Sequence, residues 1–144
     1  KPLSLDTGEA LDITATLVNF NGGLTTTGSA STGSEIDFDS VISKGPLELN
    51  LGSGADVVRI DSEPDGLVRP SVFKRTVLIE TGGGGDVIEL GGAQPGSIGA
   101  PGHITFQQRV DINGWTMAGT FTTGPAEEVT FKRGLFVDGI EETV

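Results

Sequence analysis

Five short apolar openings recur along this chain at nearly constant spacing, and that recurrence constrains its fold more than any other feature. They are Leu24-Thr25-Thr26, Leu49-Asn50-Leu51, Ile79-Glu80-Thr81, Ile104-Thr105-Phe106 and Val129-Thr130-Phe131, with steps of 25, 30, 25 and 25 residues between their first positions. Repetition at a period of roughly 20–50 residues marks architectures in which one small unit stacks on the next. Other positions keep the same rhythm. Eight residues into the last four units stand Val57, Val87, Ile112 and Val137. Seven residues in, the middle three carry Asp56, Asp86 and Asp111, and eleven in they carry Ile60, Leu90 and Trp115. The unit opening at Leu24 fits poorly, its apolar pair Ile36 and Phe38 coming later.

Each unit reads as strand. Leu47-Glu48-Leu49-Asn50-Leu51 and Glu35-Ile36-Asp37-Phe38-Asp39 alternate apolar and polar residues, the pattern of half-buried strands. Asn21-Gly22-Gly23 and Gly82 to Gly85 punctuate them as turns. The nearest candidate for a helix, Asp6 to Phe20, also alternates with period two through Leu11, Ile13, Ala15 and Leu17. A unit of about 25 residues cannot bury its apolar side alone, whereas stacking lays aliphatic side chains over one another. The expected fold is therefore all-β: a parallel β-solenoid of five to six coils of roughly 25 residues, one segment over 1–144. At one strand spacing per coil, about 4.8 Å, it makes a rod of roughly 25–30 Å. Asp61 to Ser71 and Gly91 to Gly102 read as loops bulging from its corners. An antiparallel β-sandwich suits the same strands and turns, but not the in-register columns.

Composition narrows the function. The chain has 20 acidic and 9 basic residues, a net charge of -11, which disfavours nucleic acid as a partner. With no Cys and one His, a disulfide framework, thiol chemistry and a His-rich zinc site are excluded. No apolar run is long enough to span a membrane. The chain opens at Lys1 without a leader-like segment and stops at Val144 in strand-like sequence, as expected of a mature piece of something longer.

Two segments carry a tighter pattern. Gly52-Ser53-Gly54-Ala55-Asp56-Val57-Val58 and Gly82-Gly83-Gly84-Gly85-Asp86-Val87-Ile88 match all but the first position of the nonapeptide G-G-x-G-x-D-x-U-x. Glycines let the backbone turn its carbonyls outward, and Asp adds a hard carboxylate oxygen, the donor type calcium takes six to eight of. Candidate metal ligands are therefore Asp56 and Asp86, with the Gly52, Gly54, Gly82 and Gly84 turns and Asp111 as a further rung. The same residues also suit plain solvated turns.

These turns resemble those of the RTX calcium-binding repeat proteins. The wider rhythm resembles giant repetitive bacterial surface proteins of the filamentous-haemagglutinin type. The resemblances imply secretion, a β-solenoid, and adhesion or surface assembly. The chain departs from RTX spacing, since Asp56 and Asp86 lie 30 residues apart where tandem nonapeptides make a coil of about 18. Two stacked carboxylates repel unless a cation or solvent separates them.

Other chemistry is sparse. His103, the single His, follows Pro101-Gly102 and reads as a corner residue. There is no G-x-S-x-G elbow, and Gly82 to Gly85 leads into Asp86 rather than a phosphate-binding Lys. Asp37, Asp39, Asp56, Asp86 and Asp111 could in principle supply a glycosidase pair, but Phe106, Phe131 and Trp115 are expected to face inward rather than stack sugars. Trp115 reads as core, and Lys74-Arg75 and Lys132-Arg133 as solvated spots or charge partners for a neighbouring acidic chain. No cap helix is evident at either end, so the end coils are expected to pair with further coils of the same kind. The expected role is an extracellular or cell-surface structural or adhesive module, not an enzyme, with calcium as its candidate cofactor. Its partners would be copies or neighbouring modules, and a surface glycan or protein. The alternative is a carbohydrate-active β-helix enzyme or phage-type tail spike.

Overall fold

The computed structural model describes residues 1–28, 31–61, 70–91, 103–114, 120–123 and 129–142, the fourth-last of these stretches ending at Gly91. Among them there is no helix; every regular element is a strand. The chain takes three short strands, turns, and repeats. β1 (Leu3–Asp6), β2 (Asp12–Thr16) and β3 (Asn19–Phe20) are followed by β4 (Leu24–Thr27), β5 (Glu35–Asp39) and β6 (Ile42–Ser43). Next come β7 (Leu47–Asn50), β8 (Val57–Ile60) and β9 (Ser71–Phe73), then β10 (Val77–Glu80), β11 (Val87–Leu90) and β12 (Ile104–Phe106). β13 (Val110–Asn113), β14 (Thr120–Thr123), β15 (Val129–Phe131), β16 (Leu135–Val137) and β17 (Ile140–Glu142) complete the order.

Each strand through β13 pairs in parallel with the strand three places along. This builds sheet A (β1-β4-β7-β10-β13-β16-β17), sheet B (β2-β5-β8-β11-β14) and sheet C (β3-β6-β9-β12-β15). Alternation decides the faces. In β7 and β10 the residues Leu47, Leu49, Val77 and Ile79 are buried while Glu48, Asn50, Leu78 and Glu80 are partly exposed. The inward columns are apolar: Leu24, Leu47, Val77, Val110 and Leu135 follow one another in sheet A, and Phe38, Ile60 and Leu90 in sheet B. In sheet C, Phe106 stacks between Phe73 and Phe131, with ring centroids 5.1 and 5.0 Å apart. All these columns meet in one core, where each fully buried aliphatic side chain contributes about 1.5–3 kcal/mol.

Part of the expected register is found and part is corrected. Val57 pairs with Val87, Ile60 with Leu90, Leu49 with Ile79 and Ile104 with Val129. Ile112, however, does not continue the Val57 and Val87 column. It pairs with Ile79 and Val137 in sheet A. Ile104 pairs with Ser71 in sheet C rather than with Ile79, and Leu24 pairs with Leu47 rather than Leu49. The cause is geometric. A 25-residue step from Ile79 to Ile104 crosses two strands, while the return to sheet A, from Val77 to Val110, takes 33 residues. A constant step cannot tell the faces apart when corner segments differ in length. Val57 and Val87 also face partly outward, and Val58 and Ile88 are the buried neighbours.

The end of sheet A is not the open parallel edge expected. Asp138 (φ 47) and Gly139 (φ 81) reverse the chain, and β17 pairs antiparallel with β16. Two consecutive positive-φ residues, Asp then Gly, are what a two-residue hairpin turn requires. Trp115, expected to continue the Ile60 and Leu90 column, and most of the two corner loops lie outside the described residues. His103 is exposed ahead of β12, as expected of a corner.

Candidate functional site

The two Gly/Asp segments lie where the chain passes from sheet A to sheet B. Backbone hydrogen bonds run straight between successive corners: Gly28 N to Asn50 O at 2.7 Å, Leu51 N to Glu80 O at 2.9 Å and Thr81 N to Asn113 O at 3.1 Å. The corners therefore rest directly on one another, and this accounts for the glycines. A Cβ on Gly82 (φ +76) would overlap the carbonyl oxygen of Gly52, and one on Gly84 (φ +145) that of Gly54. Gly54 is closed off in the same way by the backbone of Thr32 and Gly33.

Asp56 and Asp86 occupy one position in successive corners, and both are fully buried. Each carboxylate takes an amide hydrogen from the corner before it. Asp86 Oδ1 accepts from Asp56 N at 3.0 Å, and Asp56 Oδ1 accepts from Ser34 N at 2.7 Å. Ser34 extends the series, its Oγ accepting from Leu11 N at 3.2 Å and donating to Leu51 O at 3.3 Å. The Asp side chains thus replace strand partners that these corner amides lack, since a buried N–H without an acceptor is costly. The other oxygen, Oδ2, is buried without a hydrogen-bond partner in both residues. Burial raises the pKa of Asp56 above the usual carboxylate value; the amide bond from Ser34 opposes this, and the neighbouring Asp86 charge adds to it.

No family model matches the chain. Nor is there a match among curated proteins or solved structures. The resemblances drawn above thus stand on the residues alone, and chemistry decides what the corner can do. Two buried Oδ2 atoms on adjacent rungs can take a proton or share a cation. Calcium takes six to eight oxygens, and the described residues contain no group of three or more His, Cys, Asp or Glu side chains suited to a metal. Asp111 does not join the ladder. It stands on sheet A between Leu78 and Phe136, where Arg109 holds both its oxygens at 2.7 and 2.8 Å. Asp37 and Asp39 project from the outer side of β5 in sheet B.

A third buried carboxylate lies outside the repeat pattern. Asp61 (φ +46) turns the chain from sheet B to sheet C. Its Oδ1 accepts from Ser40 N at 2.8 Å and its Oδ2 from Ser71 N at 3.0 Å, while Ser71 Oγ accepts from Val41 N at 2.8 Å. Leu17, Ser40, Asp61 and Gly91 all adopt positive φ at this corner. Their residue types share nothing, so no motif announces them. Ser34 was equally hidden, although Gly33-Ser34 ahead of β5 parallels Ala55-Asp56 ahead of β8.

Proposed function

We propose that the three sheets are the faces of one parallel β-solenoid of five to six coils, and that it serves as an extracellular structural or adhesive module of a bacterial surface fibre, adhesin or sheath. The observation that carries this reading is the pairing of every strand through β13 with the strand three places along, in register and in parallel. Such a stack is lengthened by adding units at its ends, each new unit finding backbone partners already in place. The module meets its neighbours, or copies of itself, through the end formed by β1, β2 and β3, the terminal strands of their sheets. At the opposite end β17 occupies the edge of sheet A.

The test is light scattering and electron microscopy of the isolated chain over a range of concentrations. Association that grows with concentration supports the reading. Ser4→Pro should abolish it. Leu3 N bonds inward to Gly23 O, just ahead of β4, and Thr7 N to Thr27 O at its end, at 3.1 and 3.3 Å, so the alternate amide at Ser4 faces away from β4, and proline removes an outward donor alone. A monodisperse monomer at every concentration would sink the proposal.

The unpartnered Oδ2 atoms of Asp56 and Asp86 favour calcium as an added stabiliser of this module. Thermal unfolding with calcium and with chelator checks it. An unchanged midpoint removes calcium from the account and leaves the fold reading intact.

A further inference from the structure

The charges of this acidic chain are sorted by face. Five strands form sheet C, and neither they nor the two residues after each contain an Asp or Glu. Five of the nine Lys and Arg residues follow these strands: Lys44, Lys74, Arg75, Lys132 and Arg133. The backbone puts Asn21, Lys44, Lys74, Gln107 and Lys132 at one position in successive rungs. Lys44 N bonds to Phe20 O, Lys74 N to Ser43 O, Gln107 N to Phe73 O and Lys132 N to Phe106 O, at 2.9–3.0 Å. Cations and amides thus form a column running across the strands, one strand spacing apart, about 4.8 Å.

That column borders a surface cleft of about 620 Å³. Ile42 and Val72 floor it, Asn19 and Gln107 add amides, and Lys44 and Lys74 stand over it. Lys44 Nζ donates to Asn21 Oδ1 at 2.8 Å. Among the described residues neither lysine has a carboxylate partner within ion-pair distance. Like charges on directly opposed positions of neighbouring strands are destabilising, and an anion brought from outside would relieve the pair.

We infer that this cleft binds a linear acidic polysaccharide lying along the Lys44–Lys74 column. Ammonium groups meet its acid groups, and the amides of Asn19, Asn21 and Gln107 exchange hydrogen bonds with its hydroxyls, which need both donors and acceptors. The acidic faces of a second copy fit less well. Their carboxylate columns are interrupted, as where Leu78 separates Glu48 from Asp111, and several acids are already held. Arg59 bridges Glu35 and Glu89 at 2.7 and 3.1 Å, and Arg109 holds Asp111. Nucleic acid fits less well, because among the described residues no aromatic side chain lines the cleft to stack a base. The inference stands on the register of sheet C and does not depend on whether the module assembles.

Affinity electrophoresis of the whole chain tests it, in gels containing polygalacturonate, a sulfated glycan, a neutral glucan or single-stranded DNA. Retardation by either acidic glycan and not by the neutral one is expected, and the pair tells whether carboxylate or sulfate is the preferred anion. K44E/K74E should weaken retention at least about tenfold, each lysine supplying a charge-assisted hydrogen bond, with an unchanged circular dichroism spectrum because both side chains are exposed. Equal retention of the double variant, retention by DNA as strong as by the glycans, or none in any acidic gel would overturn the inference.

Discussion

Asp86 Oδ1 accepts the amide hydrogen of Asp56 at 3.0 Å, one rung along the same corner. Asp56 then does the same for Ser34, so each carboxylate completes the backbone of the preceding turn.

Asp56→Ala removes the acceptor of the Ser34 amide and leaves a buried N–H unbonded, a loss of about 1–3 kcal/mol. Asp56→Asn keeps an oxygen at that place and should lose less. Urea denaturation followed by circular dichroism separates the two. Equal midpoints for the Ala and Asn variants would show that the hydrogen bond contributes nothing.

The raised pKa of Asp56 sets a pH dependence. Its ordinary value is 3.8, and burial lifts it in the folded chain. The folded state therefore holds this proton more tightly than the unfolded state, and stability attributable to Asp56 is greatest while the residue is neutral. That contribution falls as pH rises from the ordinary value through the raised one. Asp56→Asn cannot titrate, so the difference between wild type and this variant should shift over that window and level off above it. A difference independent of pH would refute the assignment.

Glycine at two adjacent corner positions answers to different demands. Gly82→Ala places a Cβ against the Gly52 carbonyl at positive φ and should cost at least about 1–3 kcal/mol for the backbone conformation alone. Gly83 has open space around its Cβ position and no positive φ, so Gly83→Ala should change stability by no more than about 0.5 kcal/mol. Thermal melts of the two variants provide the comparison.

Phe106 is fully buried between two rings, Phe73 and Phe131. Phe106→Ala removes both stacking contacts and opens a cavity, with an expected loss of about 3–5 kcal/mol, whereas Phe106→Leu refills most of it. Chemical denaturation gives both values. A loss under about 1 kcal/mol for the alanine variant would mean that the ring column is not packed as described.

Strand character was legible because alternation is local. Leu47 to Leu51 and Glu35 to Asp39 show it in five residues each, and one strand buried on one face needs no more. Register is a property of the whole corner. Val57 and Val87 could be matched across 30 residues because Gly/Asp turns of one pattern, Gly52 to Asp56 and Gly82 to Asp86, precede them. Ile112 has no such turn before it, so a fixed step carried it to the wrong sheet. The Asp pair could be found by its motif but not its burial, which depends on corners resting against each other. Asp61 does the same work with no glycine signature, because its positive φ is imposed by the sharp turn between sheets. Asp138-Gly139 is the opposite case: the dipeptide is a strong hairpin signal, but it directly follows Val137, which the repeat already places.

That hairpin gives the last prediction. β17 covers β16 in the antiparallel sense, with Glu141 and Glu142 exposed on the outermost strand of sheet A. Charge on an edge strand discourages further pairing, so β17 should act as a guard at this end. Gly139 has φ +81, a conformation strongly disfavoured for a β-branched residue, and Gly139→Val should loosen the turn and release β17. Leu135–Val137 would then present an open parallel edge. Ser4→Pro blocks the opposite end of the same sheet, which lets the effect be read without association there. Ser4→Pro alone should sediment as a monomer, and Ser4→Pro with Gly139→Val as dimers or larger species. If the double variant stays folded and monomeric, β17 does not guard this edge, and growth at this end is restrained by something other than the hairpin.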